Sequence, residues 1–255
     1  MVRPGSWPFL DWPHPIPFAH RGGAAEKPEN TMAAFAAAVE AGYTYLETDV
    51  RTSSDGVLVA LHDLDLARVA DRPETVSELP WAELAEVRVQ GEPIALLEDI
   101  LGTWPRARVN IDAKHDACVA ALVGAVDRTA SHERVCLGSF SRSRVQQIRA
   151  LTGGRVCTWM GTADIVGLRL ASLGLPVPRS AAICAQVPRA RNRFPVVDAR
   201  FVAAAHRRGH VVQVWTVDDR AAIEQLLDLG VDGIFSDRTT LLKEVFTERG
   251  LWVSA

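Results

Sequence analysis

The sequence predicts an α/β fold of the barrel class, and three observations carry that expectation. Short apolar or β-branched runs alternate with amphipathic helical stretches, the pattern of parallel strands joined by helical crossovers. The chain has 255 residues, a length at which parallel α/β barrels commonly close as one unit. Residues able to do chemistry recur at the ends of the expected strands, where such a barrel gathers its functional side chains.

Strands are expected at about residues 16–20, 44–50, 57–62, 107–112, 135–139, 155–160, 182–186, 210–216 and 233–236. These are nine segments for eight barrel positions, and the one near Ile183 is the expected surplus, because so short a run is a weak strand signal. Asn30 or Thr31 can cap the Ala-rich stretch that follows, with Gly42 as its terminator. Further helices are expected near 117–129, 142–151, 198–208, 219–229 and 239–248, with Gly209 and Gly230 just past two of them. The piece between Asp49 and Leu58 is too short for a helical crossover, and Ser54-Asp55-Gly56 signals a tight turn. Pairing across that turn returns His62 opposite Thr48, beside Glu47 and Asp49. From about Leu64 to Glu92 a polar, Pro-containing excursion breaks the rhythm, and 161–175 and 186–195 read as further loops.

Composition excludes several classes. With 48% hydrophobic and 23% charged residues the chain is expected to be globular, without the marks of disorder or fibre. A formal charge of −3 gives no whole-chain attraction for nucleic acid, so any affinity for phosphate must be local. Cys118, Cys136, Cys157 and Cys184 show no metal-ligand spacing and read as buried thiols in a reducing compartment, with one or two disulfides left open. Five prolines break the apolar N-terminus, so neither a signal peptide nor a stable membrane insertion is expected and residence is taken as cytoplasmic. Trp7, Phe9 and Trp12 are expected to plug the barrel bottom rather than touch a membrane. Arg189, Arg191 and Arg193 read as a solvated basic loop. The whole of 1–255 is expected to form one domain.

The chemistry concentrates early. His20-Arg21, Pro28-Glu29-Asn30-Thr31, Glu47 with Asp49, and His62-Asp63 supply two imidazoles, a guanidinium and several carboxylates. Glu47 and Asp49 lie two apart on a strand and project to one face, where their charges repel unless a cation lies between them. Asp112 ends another strand and offers a third carboxylate, with Lys114 two residues on. Such an oxygen set suits Ca²⁺ or Mg²⁺ rather than zinc. His20 and His62 titrate near neutrality, an ordinary imidazole having a pKa of about 6.5. One can accept a proton from an attacking hydroxyl while the other donates to the leaving alkoxide. Arg21 and Lys114 suit phosphate oxygens, although Arg21 pairing only with Glu29 is the plainer alternative.

The order His-Arg, Glu-x-Asp, His-Asp resembles the glycerophosphodiester phosphodiesterase family of the PLC-like phosphodiesterase superfamily, and the resemblance runs from about 17 to 237. It includes Ser139-Phe140, the VWTVD segment 214–218 and the GVDGIFSD segment 230–237. It implies a TIM-type (β/α)8 barrel with a short insertion after the third strand, and metal-dependent hydrolysis of a small-molecule glycerophosphodiester to glycerol 3-phosphate and an alcohol. By resemblance His20 and His62 are the acid and base, with a lean to His20 as base. Glu47, Asp49 and Asp112 are the metal ligands, the last where the family usually has Glu. Arg21, Lys114, Phe140 and Trp215 would meet substrate, with Glu29 and Asp63 behind them. Asp218 replaces the usual Asn, which puts an amide hydrogen bond there in doubt. Hydrolysis of lysophospholipids and a silent phospholigand-binding barrel remain as alternatives, and head group and oligomeric state stay open.

Overall fold

The computed structural model describes residues 7–13, 15–191 and 194–253. Eight parallel strands form a nearly closed barrel: β1 (Ile16–Ala19), β2 (Tyr45–Thr52), β3 (Arg108–Ala113), β4 (Val135–Gly138), β5 (Cys157–Thr158), β6 (Cys184–Pro188), β7 (Val211–Trp215) and β8 (Gly233–Ser236). They neighbour in the order β5-β4-β3-β2-β1-β8-β7-β6, and a parallel bridge between Trp159 and Cys184 brings β5 to β6. Each strand is followed by one outer helix: α1 (Met32–Glu40), α2 (Leu97–Thr103), α3 (Cys118–Arg128), α4 (Arg142–Leu151), α5 (Thr162–Ser172), α6 (Ala199–Arg207), α7 (Arg220–Asp228) and α8 (Thr239–Glu248). Thr31 caps α1 by accepting from the Ala34 amide, and Gly42 leaves that helix at φ +92°.

Two expectations are corrected. The surplus strand is Leu58–Ala60, which pairs antiparallel with β2, whereas the doubted segment is barrel strand β6, in five-residue register with β7. A strand buried on both faces shows no polar alternation, so β6 gave a weak signal. The segment 162–172, read as loop, is helix α5; Gly167 and several exposed apolar residues blur its amphipathic pattern. The insertion follows the third strand in chain order and thus lies between β2 and β3 of the barrel. It holds short helices Ala67–Ala70 and Trp81–Leu84 and packs its own cluster of Leu66, Val69, Val76, Leu84 and Val87.

The bottom of the barrel is filled with rings. Phe18 stacks on Phe235 at 4.1 Å, and Tyr45 meets Phe9, Trp12 and Phe18 edge-on at 5.1–5.6 Å. Tyr45 donates to the Phe9 carbonyl and accepts from Arg108, which ties the N-terminal segment across the base. Trp7 and Trp12 pack on the same cluster as the plug reading expects. All four cysteines are free and buried.

Gly22 fixes the turn after β1. Its φ is +81°, and a Cβ there would stand 2.7 Å from that of Ala34 on α1. Gly22→Ala is therefore expected to cost about 1–3 kcal/mol of stability, from overpacking added to a left-handed backbone. Urea unfolding checks this, and an unchanged midpoint would contradict it.

Candidate active site

At the C-terminal ends of the strands, a cavity of about 100 Å³ is lined by His20, Arg21, Glu47, Asp49, His62, Asp112, Lys114, Phe140 and Trp215, with Asn110, Trp159, Gln186, Thr216 and Phe235 completing it. All nine residues expected to act on metal or substrate thus share one cavity. β2 sends Glu47 and Asp49 inward by its two-residue period, and its register sets Asp49 beside Asp112 of β3. The hairpin returns as the turn implied: the Leu61 amide donates to the Asp49 carbonyl, which brings His62 to the same mouth.

The imidazoles are oriented by carboxylates. Nδ1 of His20 lies 2.6 Å from Asp237 Oδ1, and its Nε2 lies 3.6 Å from Glu47 Oε2. Nδ1 of His62 lies 2.6 Å from Asp63 Oδ1. Arg21, at φ +50°, donates its backbone amide to Glu47 and its Nη1 to Glu29, while its Nε stands 3.2 Å from Asp49 Oδ2. That Nε is buried and makes no well-aimed hydrogen bond, so pairing with Glu29 does not exhaust the guanidinium. Lys114 lies 2.7 Å from both Asp49 and Asp112.

Burial dominates the carboxylates, and their partners separate them. Desolvation, reinforced by the charge of Asp49, lifts Glu47 to about 7. Asp49 is desolvated too, but Lys114 and Arg21 more than compensate and bring it to about 2. Asp112 is raised to about 6, chiefly by burial, against the pull of Lys114. Burial lowers His20, yet Glu47 and Asp237 outweigh it and raise the imidazole overall. For His62 burial prevails over Asp49 and Asp63, and its pKa falls below the usual value.

Several residues support the site without having been expected to. Arg68, from the insertion, donates to both oxygens of Glu29 and to Asp63, joining Arg21 to His62 through a chain of alternating charges. Asn30, at φ +57°, donates to Asp49 and accepts from Thr48, so the tetrapeptide also props the carboxylate pair. Gln186 donates to Asn110 and Gln213, and this amide layer floors the cavity. Asp237 falls at a strand end in the sequence without an expected role, and in the structure it holds His20. Asp218 accepts from Ser236 Oγ and the Asp237 amide at 2.8 Å, so its carboxylate is hydrogen-bonded in the place where the family resemblance implied an amide. Arg68→Ala is expected to lower kcat/KM about tenfold with little change in melting, as loss of an orienting partner does. Parent-like kinetics would contradict a positioning role.

The glycerophosphoryl diester phosphodiesterase family model matches residues 20–241. A relative from Mycobacterium tuberculosis, described as probable glycerophosphodiester phosphodiesterase 2, is 36% identical over 94% of each chain. The human protein described as lysophospholipase D GDPD1 is 27% identical over 89% of this chain and 84% of its own. Among solved structures, a glycerophosphodiester phosphodiesterase from Agrobacterium tumefaciens aligns with TM-score 0.74 and 25% identity, over 89% of this chain and 98% of that one. A phosphodiesterase from Oleispira antarctica, solved with the product sn-glycerol-3-phosphate, aligns with TM-score 0.78 and 22% identity, over 92% and 97%, and shows the shared fold. With the family model spanning both histidines and every strand from β2 to β8, the chain belongs to the glycerophosphoryl diester phosphodiesterase family and is a phosphoric diester hydrolase.

Proposed function

We propose that this site hydrolyses glycerophosphodiesters to glycerol 3-phosphate and an alcohol with the aid of a divalent cation, His20 serving as base and His62 as acid. The observation that carries the reading is the convergence of two carboxylate-oriented imidazoles, two cationic side chains and three buried carboxylates on one cavity. Donor chemistry favours a hard cation: Glu47, Asp49 and Asp112 offer only oxygen, and the buried Asp112 Oδ1 has no hydrogen-bond partner. In the structure Lys114 bridges Asp49 and Asp112. These three residues would hold Ca²⁺ or Mg²⁺, which when bound polarises a phosphoryl oxygen and lowers the pKa of a bound hydroxyl.

The remaining work falls to the chain. Asp237 fixes the His20 ring so that Nε2 faces the cavity, where it takes the proton of the attacking oxygen as the new P–O bond forms. Asp63 holds Nδ1 of His62, and the opposite ring nitrogen gives its proton to the departing alkoxide. Arg21 and Lys114 meet charge that grows on the equatorial oxygens. The attacking oxygen is either water or the substrate's own 2-hydroxyl, the latter passing through a cyclic phosphate.

These roles separate by leaving group. With a p-nitrophenyl ester, whose leaving group needs no proton, His62→Ala is expected to recover most of its lost rate, whereas His20→Ala stays impaired. The opposite pattern would exchange the two roles.

A lipid substrate has one specific observation in its favour. A cleft of about 560 Å³, lined by Met160, Ile165, Val166 and Val196, shares Phe140, Gln186 and Trp215 with the catalytic cavity. Assaying glycerophosphocholine beside lysophosphatidylcholine tests the substrate class. Release of glycerol 3-phosphate from the first supports the proposal. Turnover of the second alone would replace it with the lysophospholipid reading, and turnover of neither would favour a silent barrel.

A further inference from the structure

Charge and apolar exposure coincide on one flank of the barrel. Between Thr162 and His210 the chain has eight arginines and no lysine, against two aspartates and no glutamate, a net +6 within a chain of −3. The remainder therefore carries −9. Arg193 of this set lies outside the described residues. Both aspartates are paired, Asp164 with Arg142 of the neighbouring α4 and Asp198 with Arg169. Arg179, Arg189, Arg191, Arg200 and Arg207 are exposed.

The same segment holds most of the exposed apolar side chains. Of the nine large hydrophobic residues exposed among the described residues, Val166, Leu170, Leu173, Leu175 and Phe194 fall within it. Val166, Leu170 and Leu173 follow the i, i+4, i+7 spacing of one helical face, so they form a stripe along α5 and just past its end. Phe194 is 77% exposed on a two-stranded hairpin, where it pairs with Arg191. Arg191 and Val166 both line the apolar cleft beside the catalytic cavity, which connects hairpin, stripe and site.

We propose that this flank docks the enzyme on an anionic lipid surface, with Phe194 and the α5 stripe entering the interfacial layer and the arginines meeting lipid phosphates. Neither component alone requires a lipid surface: nucleic acid would account for the arginines but not for the leucines, and a dry protein interface would account for the leucines while stranding five exposed arginines. The docking differs from insertion, since no helix among the described residues is long and apolar enough to cross a membrane. It stands apart from the proposed hydrolysis, because it uses none of the residues assigned to catalysis.

The test is co-sedimentation of the full chain with phosphatidylcholine vesicles, with and without phosphatidylglycerol, at low and high salt. Binding is expected only with phosphatidylglycerol and should weaken as salt rises. Arg189→Gln with Arg200→Gln should lower the partition more than about tenfold, at roughly fivefold for each arginine neutralised. Phe194→Asp and Leu173→Asp should each abolish sedimentation while glycerophosphocholine hydrolysis stays within about twofold of the parent, which also shows that the variants fold. Three results would overturn the proposal: no phosphatidylglycerol-dependent binding, binding that survives both aspartate substitutions, or light scattering that finds a stable dimer dissociated by Leu173→Asp without any vesicle binding.

Discussion

His20→Ala is expected to lower kcat on glycerophosphocholine by about 10²–10⁴-fold, the range associated with one positioned acid or base. Its ring joins Asp237 to the neighbourhood of Glu47, with Nδ1 on the first and Nε2 facing the second. Truncation removes the proposed proton acceptor and leaves Asp237, itself held by Asp218 through Ser236 and the Asp237 amide, without a ring to orient. KM should change far less than kcat, because Arg21 and Lys114, the groups proposed to hold the phosphate, remain. A variant within tenfold of the parent in kcat would remove His20 from the chemistry.

Glu47→Gln is expected to abolish metal-dependent turnover and yet make the metal-free protein more stable at pH 8. Glu47 is buried, and its carboxyl is lifted from its ordinary value to about 7 by desolvation first and by the charge of Asp49 second. A raised carboxyl contributes stability that is fully present below its unfolded pKa, about 4.5, and is lost as pH rises through about 7. Asp112, raised to about 6, adds in the same sense, whereas His62, with its lowered pKa, opposes it by destabilising the fold as pH falls through the unfolded imidazole range. Comparing parent and variant isolates the Glu47 contribution. The melting difference should be small at pH 5 and grow in favour of Glu47→Gln toward pH 8, to on the order of 1 kcal/mol, or about 2–4 °C for a chain of this length. Added Ca²⁺ or Mg²⁺ should raise the parent's melting temperature and leave that of the variant nearly unchanged. A variant less stable than the parent at pH 8 without metal would show that Glu47 is satisfied by His20 and Arg21 alone.

Much of this site was legible in the sequence because its chemistry rides on short-range geometry. Glu47 and Asp49 share a face by the period of a strand, and the Ser54-Asp55-Gly56 turn returns His62 beside them, so one continuous stretch assembles half the cavity. The long-range partners were not legible. Gln186, Asn110 and Gln213 sit on three different strands and meet only because the barrel curves, and Arg68 reaches Glu29 and Asp63 from an insertion whose sequence reads as polar loop. In the fold, the misplaced surplus strand and the missed helix α5 share one cause. Patterning by polarity works where an element has a wet face and a dry face; β6 is buried on both sides, and α5 exposes apolar residues on the face that should be polar. On α5 that departure is the mark of the flank proposed to meet lipid.

The most direct measurement is glycerol 3-phosphate release from glycerophosphocholine by the purified protein, first in EDTA and then with Ca²⁺ or Mg²⁺ restored, with His20→Ala alongside. Release is expected to vanish in EDTA, to return with the cation, and to fall by about a hundredfold or more in the His20→Ala protein with the cation restored. Release that persists in EDTA, or that His20→Ala supports at the parent's rate, would contradict the role assigned to these carboxylates and this imidazole.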